Sequence, residues 1–459
     1  MGRVNPEIFR EYDVRGVVGE DLTEDTVQLI GRAFGTYVKR QGAKTVVVGR
    51  DNRKSSSLFR DAIIAGLTRS GLDVVDIGLV VTPIFYFARI HLGIAAGVMV
   101  TGSHNPPEFN GFKLGWGPGT LYGEEIRRLW TVISESDFEE GTGSVLSADV
   151  VPAYMDSVLS RVRLGPKKLK VVADAGNGTA GLFVKPLLEQ LGCEVIPLFL
   201  ESDPDFPNHF PDPVRVENLA ELIETVRRER ADLGVAFDGD ADRLGVVDDT
   251  GNILWGDTLM ILYWREILKK HPGSRAIIEV KCSQALVDEV KRLGGKPEFY
   301  RTGHSLIKAR MRETGALFAG EMSGHLFFAD EYYGFDDALY AAARLLRILS
   351  ADERKLSEIV ADIPRYCSTP ELRVDCPDAA KFKVVAEARE YFSRTHPVID
   401  VDGARVLFEN GWGLIRASNT QPVIVVRCEG KTPEDLLAIK QEVFSYLSRF
   451  PEVDLSGIT

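Results

Sequence analysis

Three carboxylates stand at alternate positions in Asp238-Gly239-Asp240-Ala241-Asp242-Arg243, directly after the apolar run 233–237. Carboxylates spaced this way just past a strand can converge on one centre, and three hard oxygen donors suit Mg2+, which prefers near-octahedral oxygen ligands and often takes others from phosphate. Other readings fit less well. An EF-hand loop wants Gly at its sixth position, where Arg243 stands, and Glu where Asp249 stands. A haloacid-dehalogenase loop needs Thr or Val two residues after its second Asp, where Asp242 stands. A plain solvated acidic turn would leave three unpaired like charges repelling one another.

The second segment is Thr101-Gly102-Ser103-His104-Asn105-Pro106-Pro107, running on to Lys113. Gly102 permits a tight backbone, and the two prolines keep a helix from starting early. Ser103 is thus displayed at a strand end, beside His104 and within a loop's reach of Lys113. A serine nucleophile needs activation by a base or a metal. No Gly-x-Ser-x-Gly elbow is present, which disfavours a hydrolase triad. A turn serine that caps a helix remains open on this segment alone.

Two further groups have the chemistry of grips. In Gly320-Glu321-Met322-Ser323-Gly324-His325, glycines let a loop approach a ligand closely, while Glu accepts and Ser donates, as neighbouring sugar hydroxyls require. The rival reading is an ordinary loop with one buried His. In Arg416-Ala417-Ser418-Asn419-Thr420-Gln421-Pro422, one guanidinium and several small donors make a phosphate cradle, with Arg427 as an auxiliary. A hairpin loop held by Asx-turn chemistry is the alternative.

The elements that must position these loops are legible as a recurring pattern: a short β-branched run, a polar Gly-rich loop, then a helix-like stretch. It recurs at residues 45–49, 96–100, 170–173, 233–237 and 276–280. Continuous apolar runs of this length suit strands covered on both faces, with reactive loops at their carboxyl ends. A chain of 459 residues exceeds one ordinary core. The expected division is 1–149, 150–251 and 252–364 as three similar mixed α/β domains, then 365–459 as a smaller α+β domain, with Ser134–Gly143 as a polar connector. The stretch 77–100 is apolar but broken by Pro83, Arg89 and His91. It reads as strand, helix and strand, with Thr82 as N-cap and Pro83 as first helical residue, and no membrane span is expected.

Net charge is −12, which argues against nucleic acid or anionic membrane as partner and requires local Arg and Lys clusters for any anionic substrate. Five scattered cysteines form no Cys-x-x-Cys pair, so neither disulfides nor zinc are expected and a reducing cytoplasm fits. The start, Met-Gly-Arg-Val-Asn-Pro, has no apolar signal region. Nothing reads as a self-association surface, so a monomer is the default expectation.

In order, spacing and content the four segments resemble the α-D-phosphohexomutase superfamily, and most closely its phosphomannomutase/phosphoglucomutase branch. The resemblance runs from Tyr12-Asp13-Val14-Arg15-Gly16 to the Arg416 loop, essentially the whole chain. Phosphoglucosamine mutases typically carry Gln before the sugar-loop Ser and Gly-Thr-Glu-Pro in the last loop; Met322 and Asn419-Thr420-Gln421-Pro422 fit the mannose/glucose branch better. The resemblance implies four domains around a central cleft, a phosphorylated Ser103 with His104 beside it, and Mg2+ held by the phosphoserine with Asp238, Asp240 and Asp242. It further implies that Tyr12, Arg15, Lys113, Arg243, Lys281 and His304 line the cleft, with Glu321, Ser323 and His325 on the sugar. Ala241 departs from the family, which usually has Gly there; a methyl group limits backbone freedom but removes no ligand.

The activity so implied is interconversion of hexose 1-phosphate and hexose 6-phosphate, of mannose or glucose. Phosphate would sit on Arg416, Ser418, Asn419 and Thr420, and a hexose 1,6-bisphosphate intermediate would turn round in the site. Lys113, Arg15 and His325 are all candidates for moving the hydroxyl proton. A mobile last domain closing on the ligand would keep water out. Two rivals stand beside this: a metal-dependent phosphatase, which needs an activated water and no second phosphate site, and a non-catalytic sugar-phosphate sensor.

Overall fold

Why the four loops meet is a matter of strand direction. The computed structural model describes residues 4–419 and 421–456, and these build four sheets. In the first, the strands Asp73–Leu79, Thr45–Arg50 and Ala96–Val100 run parallel, and Phe109–Trp116 then returns antiparallel beside Ala96–Val100. The second repeats this with Glu194–Leu198, Lys170–Asp174 and Leu233–Phe237, followed by antiparallel Leu244–Asp248. The third does so with Lys296–Tyr300, Arg275–Glu279 and Phe318–Gly320, followed by antiparallel Leu326–Phe328. The fourth sheet is antiparallel throughout, with Gly411–Ala417 turning back as Val423–Gly430 at its centre.

The serine and Asp loops therefore lead into strands, not into the helix-like stretches that the sequence pattern suggests. The reason lies in the next residues along the chain. Leu244–Asp248 is an apolar run and Phe109–Trp116 carries Phe109, Phe112, Leu114 and Trp116 among its residues; both are buried almost throughout, and pairing with the preceding strand satisfies their backbone groups. Strand–loop–helix does hold at Thr45–Arg50 before helix Ser56–Arg69, and at Arg275–Glu279 before helix Gln284–Arg292.

Residues 77–100 form strand, helix and strand, the helix being Thr82–His91. No helix among the described residues is long and apolar enough to cross a membrane. Thr82 is not the N-cap, which is Val81 without a side-chain bond. Its hydroxyl instead donates to the charged Asp240 Oδ2 at 2.6 Å. The connector 134–143 is no free linker either. Arg40 pairs with Asp137 at 2.8 Å, Gly141 N and Gly143 N donate to Arg69 O and Thr68 O, and Val145–Ser147 then joins the first sheet.

One apolar core runs continuously through the first three domains, from Val47 to Ile363. The C-terminal domain has its own core around Val374, Ile415 and Val443. It is riveted to the third domain by Arg405, wholly buried, whose Nη1 donates to Val280 O at 2.6 Å and Cys282 O at 2.8 Å. The guanidinium lies 3.6 Å over the Trp412 ring and 4.3 Å over Phe299. Arg405→Ala removes these contacts and should cost about 3 kcal/mol. Calorimetry should then show the C-terminal domain melting as a separate, earlier transition; a single transition at the parent's temperature would remove Arg405 from this role.

Candidate active site

The strand Ala96–Val100 ends in a loop folded around one buried side chain. Arg53 Nη1 donates to Pro106 O at 2.6 Å and Phe109 O at 2.9 Å, and Nη2 donates to Ser103 O at 2.8 Å and to Asn105 O. Asp51 accepts from Gly102 N at 3.1 Å and Arg53 N at 3.0 Å. A Cβ at residue 102 would stand 2.4 Å from Arg53 Nε, so only glycine fits. The loop places Ser103, 3% exposed and at φ +50°, against the second domain. Its Oγ donates to Asp238 Oδ2 at 2.8 Å and lies 3.1 Å from His104 Nδ1. Burial, then Arg243 and Arg15, push the His104 pKa well below the usual imidazole range, leaving the ring an acceptor.

The Asp loop is the hairpin turn between Leu233–Phe237 and Leu244–Asp248, and its three carboxylates are fully buried. Asp238 Oδ1 accepts from Asp242 N at 3.0 Å and Arg243 N at 3.1 Å, which curls the turn onto itself. Lys113 Nζ reaches Asp240 Oδ2 at 2.7 Å and also Asp242 Oδ2. Asp240 Oδ2 further accepts from Thr82 at 2.6 Å and Thr101 at 3.2 Å. Burial, then Asp242 and Asp240, hold the Asp238 carboxyl well above its ordinary range. The cluster is short of positive charge.

A divalent cation suits this donor set. Ligand oxygens of Asp238, Asp240 and Asp242 lie within 4.8 Å of one another. Oδ1 of Asp240 and Oδ1 of Asp242 are buried with no hydrogen-bond partner among the described residues, and three hard oxygens favour Mg2+ over softer metals. A second group within the same distance, Asp242, His325 and Asp336, is less apt for a hard cation, because one of its three donors is an imidazole nitrogen.

The third loop, between Phe318–Gly320 and Leu326–Phe328, docks on the second. Arg243 and His325 form an antiparallel bridge, and Leu244 N donates to Gly324 O at 3.1 Å. Glu321 Oε1 accepts from Gly303 N at 2.6 Å, with Ser323 Oγ at 3.4 Å from its other oxygen. His325 Nε2 accepts from Arg243 Nε at 3.0 Å, so the neutral ring carries its proton on Nδ1, which faces Asp336 Oδ2 at 3.1 Å and Asp242 Oδ1 at 3.5 Å. His304 stacks on His325 with centroids 5.6 Å apart and takes a bond from Lys308 Nζ at 3.2 Å.

The fourth loop joins through the third domain. Arg416 Nε pairs with Asp402 Oδ2 at 2.6 Å, and that oxygen also accepts from Thr302 N at 3.1 Å. Tyr12 OH donates to Thr302 O at 2.7 Å and accepts from Asn419 Nδ2 at 2.8 Å, linking the first, third and fourth domains. Ser418 Oγ accepts from Gln421 N at 3.2 Å; Thr420 lies outside the described residues. Arg15 donates to Asn105 Oδ1 at 2.8 Å beside the serine loop. Lys281 pairs with Glu371 at 2.8 Å across the third and fourth domains. Arg427, the expected auxiliary, faces Asp257 at 3.5 Å and donates to Lys281 O.

The site thus includes residues that the motifs do not mark. Asp51 and Arg53 come after a strand in one of the recurring polar loops, so their place at the sheet's carboxyl edge is readable although their task is not. Thr82 carries the signal of a cap instead. Lys308, Asp336 and Asp402 are single residues in unremarkable segments, and only the packing brings them to the site.

Comparison with known proteins agrees with this arrangement. The description "Phosphoglucomutase/phosphomannomutase, alpha/beta/alpha domain" matches residues 6–140 as domain I, 152–251 as domain II and 255–366 as domain III, and the C-terminal domain of the same family matches 371–445. The chain is 46% identical, over 94% of both chains, to a phosphomannomutase/phosphoglucomutase of Pseudomonas aeruginosa. It is 42% identical, over 99% of both, to a phosphoglucomutase of Neisseria gonorrhoeae. A solved phosphoglucomutase/phosphomannomutase family protein from Burkholderia thailandensis superposes with TM-score 0.92 at 42% identity, covering 97% of this chain and 98% of that one.

The Lys281–Glu371 pair carries a pH prediction. Lys281 foremost pulls the Glu371 pKa from 4.5 down to about 2. A depressed carboxylate pKa gives stability that is present above the unfolded value and is lost as pH falls through the folded one. The parent should therefore lose this contribution between about pH 4.5 and 2. Glu371→Gln should melt below the parent at pH 6, with the gap narrowing at pH 3.5; a gap independent of pH would count against the pair.

Proposed function

The chain belongs to the phosphoglucomutase/phosphomannomutase family, and from that premise we propose that it moves a phosphoryl group between O1 and O6 of a hexose phosphate by way of Ser103. It is an isomerase, an intramolecular phosphotransferase. The observation that carries the assignment of the nucleophile is the Ser103 Oγ to Asp238 Oδ2 bond of 2.8 Å, which joins the buried serine to the acidic triad. Mannose and glucose phosphates are the substrates proposed, and hexose 1,6-bisphosphate is both intermediate and activator.

In the proposed cycle Ser103 carries the phosphoryl group at the start. The substrate hydroxyl attacks phosphorus, forming the new O–P bond as the bond to Ser103 Oγ breaks. Asp238, Asp240 and Asp242, with a phosphoserine oxygen, would hold Mg2+, which neutralises charge on the transferring group when bound. Lys113, kept cationic by Asp240 and Asp242 against the effect of burial, and Arg243 add fixed positive charge. Of the three candidates for the hydroxyl proton, Lys113 and Arg15 present only donors, whereas His325 has an acceptor nitrogen. That nitrogen accepts from Arg243, so movement of Arg243 onto phosphate would free it for the proton.

The distal half of the ligand falls to the other loops. Glu321 and Ser323 would take sugar hydroxyls, and Arg416, Ser418, Asn419 and Thr420 the non-reacting phosphate, with Lys281 and His304 beside them and Tyr12 tying the loops together. The bisphosphate would turn round between them before returning its other phosphoryl group to Ser103. Burial of Ser103 supports a cycle in which the C-terminal domain opens for exchange and closes against hydrolysis. The five unpaired cysteines support a cytoplasmic enzyme, and we propose that it acts as a monomer.

Parent protein should gain 80 Da of phosphate on Ser103 from hexose 1,6-bisphosphate, about the mass of one added phosphoryl group. It should interconvert glucose 1- and 6-phosphates, and mannose 1- and 6-phosphates, only with Mg2+. Ser103→Ala should take no label and lose at least about 10³-fold in kcat, as removal of an activated nucleophile does. Free phosphate appearing at the rate of sugar turnover would instead support a phosphatase, and an unphosphorylated, inactive parent a sensor. Gly239→Ala tests the approach of the two loops: its Cβ would meet Ser103 O at 2.4 Å. A shift of that kind should lower kcat on the order of 10²-fold and leave KM within a few-fold; parent kinetics would show the approach to be unimportant.

A further inference from the structure

A cavity of about 590 Å³ lies between the first and third domains, with neither Ser103 nor any residue of the Asp loop in its lining. One wall is helix Thr82–His91 with the turn at 117–120, and the other is helix His304–Thr314 with residues 315–317 and 333–335. Its size is that of a small-molecule site. Much of the lining is apolar or aromatic: Tyr86, Ile90, Ile94, Met311, Leu317 and Phe335.

The charges on that lining are one-sided. Arg89, Lys308 and Arg312 contribute to it, and no Asp or Glu does. Lys308 is matched by Asp336 at 2.8 Å. The other two are not matched. Arg89, 7% exposed, donates to Gly119 O at 3.0 Å, Gly117 O at 2.7 Å and Ala95 O. Arg312 donates to Pro118 O at 3.2 Å. Neither guanidinium has a carboxylate within 4.0 Å among the described residues. Burial, with repulsion from Arg312, pulls the Arg89 pKa down to about 10. Two uncompensated cations facing an apolar cavity make a field that attracts an anion.

We propose that this cavity binds a small aromatic anion, its ring between Tyr86 and the apolar wall and its phosphate, sulfonate or carboxylate on Arg89 and Arg312. An occupant would touch both domains and the Lys308 floor. The proposal stands on this geometry and not on the reaction assigned to Ser103.

The probe is 8-anilinonaphthalene-1-sulfonate, titrated by fluorescence with saturating glucose 1-phosphate present to fill the catalytic site. One probe per chain should bind with micromolar Kd, and phenyl phosphate should displace it. Arg312→Glu and Ile90→Glu, both at exposed positions, should each weaken binding at least about tenfold, or about 1.4 kcal/mol, with kcat and KM within twofold of the parent. The uncharged N-phenyl-1-naphthylamine should bind parent and Arg312→Glu alike. The proposal is overturned by absent or multiple-site binding in the parent, or by an anionic probe whose affinity both variants retain.

Discussion

Burying three carboxylates in one turn is the constraint on which the rest of this structure depends. Asp238, Asp240 and Asp242 have essentially no exposure, and such charges tolerate burial only when paired and hydrogen-bonded. The second domain alone does not supply the partners. Lys113, Thr82, Thr101 and Ser103 come from the first, and His325 comes from the third. The groups that make the site chemically useful are thus the same groups that hold three domains in register. One apolar core likewise runs through all three.

Hairpins make the convergence geometrically possible. Each of the three α/β sheets ends its parallel run with one antiparallel return, and the reactive loop is the turn between them. Close approach then demands glycine at particular points. Gly239 leaves room for Ser103 O, and Gly324, at φ +92°, leaves room for Leu244 O. These approaches are backbone to backbone, so no side-chain rotation can relax them and the loops are held in fixed relation, as preorganised chemistry requires.

How much of this was legible in the residues is governed by the same physics. The Asp loop and the serine loop were readable because their chemistry is local: ligand spacing, a displayed hydroxyl, proline punctuation. Strand positions were readable because apolar runs report burial on both faces. The element after each loop was not, since a run such as Leu244–Asp248 is apolar in either a helix or a strand, and only pairing decides. Thr82 carried a sound capping signal, but the helix begins one residue earlier than that signal places it, and the hydroxyl bonds Asp240, 158 residues distant in sequence. Lys308, Asp336 and Asp402 carried no signal at all. They act by neutralising or orienting groups that the fold brings from elsewhere, and such roles leave no pattern in a single sequence.

Ala241 shows how the assembly carries a local cost. It stands in the metal loop at φ +58°, a left-handed conformation that costs a residue with Cβ about 1 kcal/mol or more. Within the loop Ala241 N donates to Asp238 O at 3.1 Å; from outside it, Ala338 N, at the start of a third-domain helix, donates to the Ala241 carbonyl at 3.1 Å, and the methyl is wholly buried in the shared core. A glycine would adopt the same turn without strain but would bury no methyl and would have more freedom to lose on folding. The alanine therefore exchanges intrinsic ease for tertiary constraint. Its conformation is held by contacts from two domains, so the spacing of Asp240 and Asp242 on either side of it is set by the assembled molecule as well as by the loop's own hydrogen bonds.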